Sequence, residues 1–203
     1  MNQKPSDLLL GVIDFFGILI PGAMLVFLHG NFLLRPLGLS IGTLQTFADW
    51  IPAFFVSYAL GHFLLGFSVP LNDLAVRFPS KETTAYYEAV RKRIKLPPNV
   101  SDNRTNVFYS AFSFIRIHSP EAMVELERQA AEYKLFRSLT LLFLLDIPLA
   151  AVSGSFSPTR LISSLLVVGL AAYRFRWLFD WTYQLAFDFY LQLQKPAAKN
   201  KAA

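Results

Sequence analysis

Four long apolar runs constrain this chain more than any other feature. Leu8 to Leu28 is broken only by the charge of Asp14, and Trp50 to Pro70 only by His62. Ser138 to Gly154 contains Asp146, and Leu161 to Trp177 carries Arg174 and Arg176 at its far end. In hydrocarbon, an isolated backbone satisfies its polar groups only as a helix. At about 1.5 Å per residue, roughly 20 apolar residues cross a ~30 Å layer. The runs therefore predict an all-α polytopic membrane protein with four transmembrane helices, the third and fourth near the short limit and lengthened by flanking helix. Lys4 before the first run resembles the start of a secretory signal. That run exceeds the roughly 7–15 apolar residues of such a signal, and no small-x-small cleavage site follows Phe27-Leu28-His29-Gly30, so a retained span is expected.

Composition agrees, since 54% of the residues are hydrophobic and only 16% charged, where a soluble domain has about 45–50% and about 25%. The absence of cysteine excludes disulfides and every site built on thiolate. The formal charge of +5 reports topology before it reports a nucleic-acid partner. The segments 29–49 and 155–160 hold one basic residue each, Arg35 and Arg160, whereas the segment 71–137 holds eleven. Lys4, Arg174, Arg176 and the tail lysines fall on the side of the larger group if there are four spans. By the positive-inside rule, both termini and the central loop are then cytoplasmic.

The expected organisation follows. Residues 1–70 form the first two spans with an outer loop at 29–49 that lies along the outer membrane surface or packs over the span ends. Residues 71–137 form a cytoplasmic helical region, 138–178 the third and fourth spans, 179–194 a cytoplasmic amphipathic helix, and 195–203 a disordered tail. Ser80 reads as an N-cap for a helix over 80–95, stopped by Pro97-Pro98. Over 102–117, Val107, Phe108, Ala111, Phe112 and Ile115 share a helical face. Ser119-Pro120-Glu121 is the clearest start signal, and no breaker follows until Pro148, so one helix is expected to enter the third span from the cytoplasm. Pro21 and Pro148 allow kinks. Asp180, Gln184, Asp188 and Gln192 recur every fourth residue, an acidic face better suited to the basic central loop or a partner subunit than to lipid.

Ionisable residues inside spans rarely face lipid. Counted from the cytoplasmic ends of their runs, Asp14, His62 and Asp146 all fall about 9–12 Å deep. They are expected to form one intramembrane layer, either a proton or cation site open to the cytoplasm or an interhelical hydrogen-bond set with Arg174 reaching inward. His29 reads as an exposed residue at the outer interface. Ser57, Gly61 and Gly66 offer a small-residue face, either for packing within the chain or for self-association. Arg91, Lys92, Arg93 and Lys95 form a basic cytoplasmic patch, suited to anionic lipid, an acidic partner or simple solvation. The surrounding loop has eleven basic against eight acidic residues, so nucleic acid is not an expected partner. Catalytic and phosphate-binding signatures are absent, so neither enzymatic activity nor a cofactor or metal is expected.

Asp14-Phe15-Phe16-Gly17-Ile18-Leu19-Ile20-Pro21-Gly22, Glu125-Leu126-Glu127 and Glu132-Tyr133-Lys134-Leu135-Phe136-Arg137 together resemble uncharacterised bacterial four-pass inner-membrane proteins, some of which accompany antiviral defence genes. The resemblance implies an inner-membrane location and an effector that alters permeability. The expectations about function are therefore a non-enzymatic, self-associating membrane protein with a pore-like action controlled by a cytoplasmic protein or signal, a small transporter using the Asp–His–Asp layer, or a scaffold for a soluble partner.

Overall fold

The computed structural model describes residues 5–35, 38, 46–94, 96 and 100–194, with 5–14, 16 and 47–49 described as backbone only. The structure is helical throughout, with no strand among the described residues. Its elements are α1 (Pro5–Leu33), α2 (Phe47–Phe67), α3 (Pro70–Arg77), α4 (Lys81–Arg91), α5 (Arg104–His118), α6 (Pro120–Val152) and α7 (Pro158–Leu193). Among the described residues, three stretches are long and apolar enough to cross a membrane: Trp50–Arg77, Pro120–Val152 and Pro158–Leu193. Gly17–Leu33 is a shorter apolar helix. The tail 195–203, and residues 36–37 and 39–45 of the outer segment, lie outside the described residues.

The chain divides into two compact units, Met1–Asn72 with Ala131–Arg176, and Asp73–Ala130 with Trp177–Ala203. In the first unit, α1 and α2 are antiparallel and touch backbone to backbone. A methyl group at Gly22 would overlap the carbonyl of Ser57, and one at Gly61 would overlap that of Ile18. Leu25, Leu64 and Leu142 form a buried cluster where α1, α2 and α6 meet. Apolar packing adds little drive between helices in lipid, so backbone proximity from small residues carries much of the association there.

α6 passes through Pro148 without ending, and α1 passes through Pro21. The irregularity in α1 is instead at His29 (φ −131°, ψ 15°). The α6–α7 connection has a local cause. Gly154 takes a positive φ of 69°, and the amides of Ser155 and Gly154 bond to the carbonyls of Ala150 and Ala151, closing α6 with a Schellman motif. Ser157 then accepts from the Arg160 amide, and Pro158 opens α7. At the opposite end of α2, Arg137 of α6 is buried and donates to Ser68 Oγ (2.9 Å) and the Leu65 carbonyl (3.1 Å). A guanidinium thus meets the negative end of the α2 dipole.

The second unit has an aromatic core. Val107, Phe108, Ala111 and Ile115 of α5 are buried, as are Leu178, Phe179, Tyr183, Phe187 and Tyr190 of α7. Phe108 stacks on Tyr183 with centroids 4.1 Å apart. Ser80 caps α4 by accepting from the Thr83 amide, and Asn103 caps α5 from the Asn106 amide. Asp180 accepts from the Ser80 amide (3.2 Å) and Gln184 donates to Thr83 Oγ1 (3.0 Å), so the first half of the acidic stripe on α7 meets the N-terminus of α4.

Candidate functional site

Asp146 is 2% exposed. It lies six residues before the end of α6, and Ser164 lies six residues after the start of α7. In an antiparallel hairpin, equal spacings of about 9 Å bring the two level. Ser164 donates from Oγ to Asp146 Oδ2 (2.5 Å). One turn nearer the loop, Arg160 donates from Nη2 to Oδ1 (2.6 Å) and from Nε to Oδ2 (3.4 Å). The two nitrogens grip both oxygens, the arrangement that a planar guanidinium offers a carboxylate. The fourth member comes from α1, where His29, 3% exposed, places Nε2 2.8 Å from Oδ1. An ionised carboxylate only accepts, so this nitrogen carries the hydrogen. Arg160 Nη2 lies 3.2 Å from the same nitrogen, and the two donors converge on one oxygen. Arg160 also donates from Nη1 to Ser155 Oγ (2.9 Å).

The expected Asp14–His62–Asp146 layer is not what forms. His62 is exposed and edge-on to Tyr58, with ring centroids 4.6 Å apart. Its neighbour Gly61 meets Ile18, four residues from Asp14 on α1, so His62 and the Asp14 backbone lie within about one helical turn in height. The Asp14 side chain lies outside the described residues. Asp146 instead meets His29, fifteen residues and about 22 Å further along α1. Its depth has to be counted from the α6–α7 turn, not from Ser138. His29 is correspondingly buried, not exposed, and Arg174 approaches the Phe136 ring at 5.9 Å.

Both oxygens of Asp146 are occupied, and its charge is balanced by Arg160. Such a group is poorly placed to bind a metal or relay a proton, but it ties α1, α6 and α7 together. The three partners that sequence reading missed carried one signal. Arg160 and Ser164 are spaced i, i+4 on one helix face, across a five-residue turn from a carboxylate within an apolar run.

One hollow adjoins the site, and another lies along the α1–α2 seam. A cavity of about 450 Å³ is lined by the polar residues His29, Asn31, Arg35, Ser153, Ser155 and Arg160, with apolar neighbours that include Phe27. The other His29 nitrogen, Nδ1, is buried with no hydrogen-bond partner among the described residues. A second hollow of about 340 Å³ runs along the α1–α2 seam between Leu19, Ala23, Val26, Phe27, Trp50 and Phe54. Its polar residue Ser57 returns its hydroxyl to the Ala53 carbonyl (2.8 Å).

Of the small-residue face, Ser57 and Gly61 lie in the α1–α2 seam, whereas Gly66 is exposed with open space around it. In the basic run, Arg91 bonds Asp102 (2.7 Å) and lies 3.9 Å from Glu88. The Asp102 carboxylate raises the Arg91 pKa further above the usual guanidinium value. Lys92 and Arg93 are exposed, and Lys95 lies outside the described residues.

Taken together, these features define an all-helical protein with helices able to cross a membrane, braced by a neutralised buried ion pair. No protein-family model, curated protein or solved structure matches the chain.

Proposed function

We propose that the chain is a four-pass protein of a bacterial inner membrane, with its termini and second unit cytoplasmic, and that it acts without catalysis as a self-associating, pore-like effector. Its cytoplasmic helices receive a protein partner or signal, and its spans respond by altering permeability, with antiviral defence as a setting. The observation that carries this reading is that α6 and α7, of 33 and 36 residues, each run without a break from one unit into the other. An event at the aromatic core built on α7 thereby has a continuous helical route to the apolar unit.

Charge and surface support the membrane part. Only 22% of the most apolar stretch of α7 is buried within the chain, and Ile162, Leu166, Leu170 and Tyr173 are exposed along it. Trp177 and Trp181, stacked and half exposed, follow directly after Arg174 and Arg176, as an interfacial aromatic and basic belt would. The transporter alternative loses its main support, because the carboxylate it relies on is already saturated by Arg160, Ser164 and His29.

The test is the full chain in mild detergent and in dye-loaded liposomes. A defined oligomer, and dye release that rises with protein density, are expected. A monomer that leaves liposomes tight even with the native cytoplasmic fraction added would overturn the effector reading.

A further inference from the structure

Resting on the membrane reading above, we infer that the first unit holds a binding site for an anionic phospholipid at the end of its spans where α6 turns into α7. The polar cavity and the apolar groove share one wall, Phe27, which is 79% exposed. One hollow is polar and the other apolar, which matches a molecule with a charged head and an acyl chain.

Charge selects the head. Arg35 and Arg160 are the two basic residues of the expected outer segments, and both line the same cavity. Among the described residues no carboxylate lines it; Asp146 lies behind Arg160 and already balances that guanidinium. Arg35 is exposed and makes no ion pair among the described residues, so its charge is available. Ser153, Ser155 and Asn31 supply further polar groups. A phosphate is the anion that this set of donors suits. The acyl chain follows from the groove, where aliphatic and aromatic side chains surround Ser57, whose hydroxyl is already committed to the backbone. Free phosphate would leave this groove empty.

Trp50 lines the groove and reports on it. Of the three tryptophans, Trp177 and Trp181 are replaced by phenylalanine, leaving Trp50 as the only emitter. The full chain is reconstituted in phosphatidylcholine vesicles doped with acyl-brominated phosphatidylglycerol or acyl-brominated phosphatidylcholine. Stronger quenching by the glycerol lipid at equal mole fraction is expected. Arg35→Gln, on an exposed side chain outside the buried cluster, should lower that preference about fivefold, the equivalent of about 1 kcal/mol per basic group near a membrane. Ala23→Trp, made with Trp50→Phe, should fill the groove and give an emitter that no longer distinguishes the two lipids. Equal quenching of Trp50 by both lipids would overturn the site while leaving the membrane reading intact. Absence of quenching by either lipid would overturn the membrane reading itself. Complete loss of the preference on adding inorganic phosphate would overturn the lipid assignment in favour of a free anion.

Discussion

Arg160 holds Asp146 by two nitrogens while Ser164 and His29 complete the carboxylate, and this set behaves as a unit. Removing one partner of a buried pair leaves an uncompensated charge, which costs about 3–5 kcal/mol, whereas replacing both by apolar groups is often tolerated. Arg160→Met should therefore lower the unfolding midpoint in detergent sharply. Asp146→Leu combined with Arg160→Met should recover much of that loss. A double variant as unstable as the single one would remove the ion pair from the account of stability. The identity of this cluster was only half legible in the chain. Asp146 announced itself as a charge in an apolar run, but its partners did not, because depth was counted from Ser138 and the turn after Val152 is what sets it. The same holds for His29, since a residue near a span end is exposed or buried according to what stands opposite.

Among the elements, α1 and α2 depend on glycine at their point of closest approach. Gly22 and Gly61 have no room for a methyl group, and the obstacle is backbone, which cannot rotate away. Gly61→Leu should destabilise the first unit by about 1–3 kcal/mol or more, the usual range for overpacking. Gly66→Leu, with open space around it, should stay within about 0.5 kcal/mol. Thermal unfolding of the two variants in detergent decides the matter, and equal effects would count against the seam. The small-residue pattern itself was readable from Ser57-x-x-x-Gly61. Its partner was not, because the spacing describes one helix face and says nothing about whether a second helix of the same chain or another copy covers it. Helix starts were far more legible. Ser80 and Ser119-Pro120 act on amides within three or four residues, so their effect is complete before any tertiary contact forms.

For the molecule as a whole, the absence of cysteine makes topology directly testable, because a single introduced thiol has no competitor. Thr159→Cys, at the exposed start of α7, should react with a membrane-impermeant maleimide added to intact cells. Ser101→Cys, exposed ahead of α5, should react only after lysis. The reverse pattern would invert the proposed orientation. The second unit should respond to its own core. Phe108→Ala removes a ring stacked on Tyr183 and should cost about 3–5 kcal/mol, seen as increased proteolysis of residues 80–118 in membranes. Unchanged proteolysis there would argue that this core does not hold the second unit together.

By itself the sequence determined that the chain is helical, where most helices begin, and that its apolar surface exceeds what a water-soluble core could absorb. Those properties follow from local capping, periodicity and run length, each set within a few residues. Only the tertiary structure decided that Asp146 belongs with His29, Arg160 and Ser164, that Gly61 meets α1 while Gly66 meets nothing, and that Arg137 ends buried against the last turn of α2. These outcomes depend on which helix faces meet and at what height, and a polar side chain in an apolar helix is satisfied by whatever stands level with it, however distant in the chain.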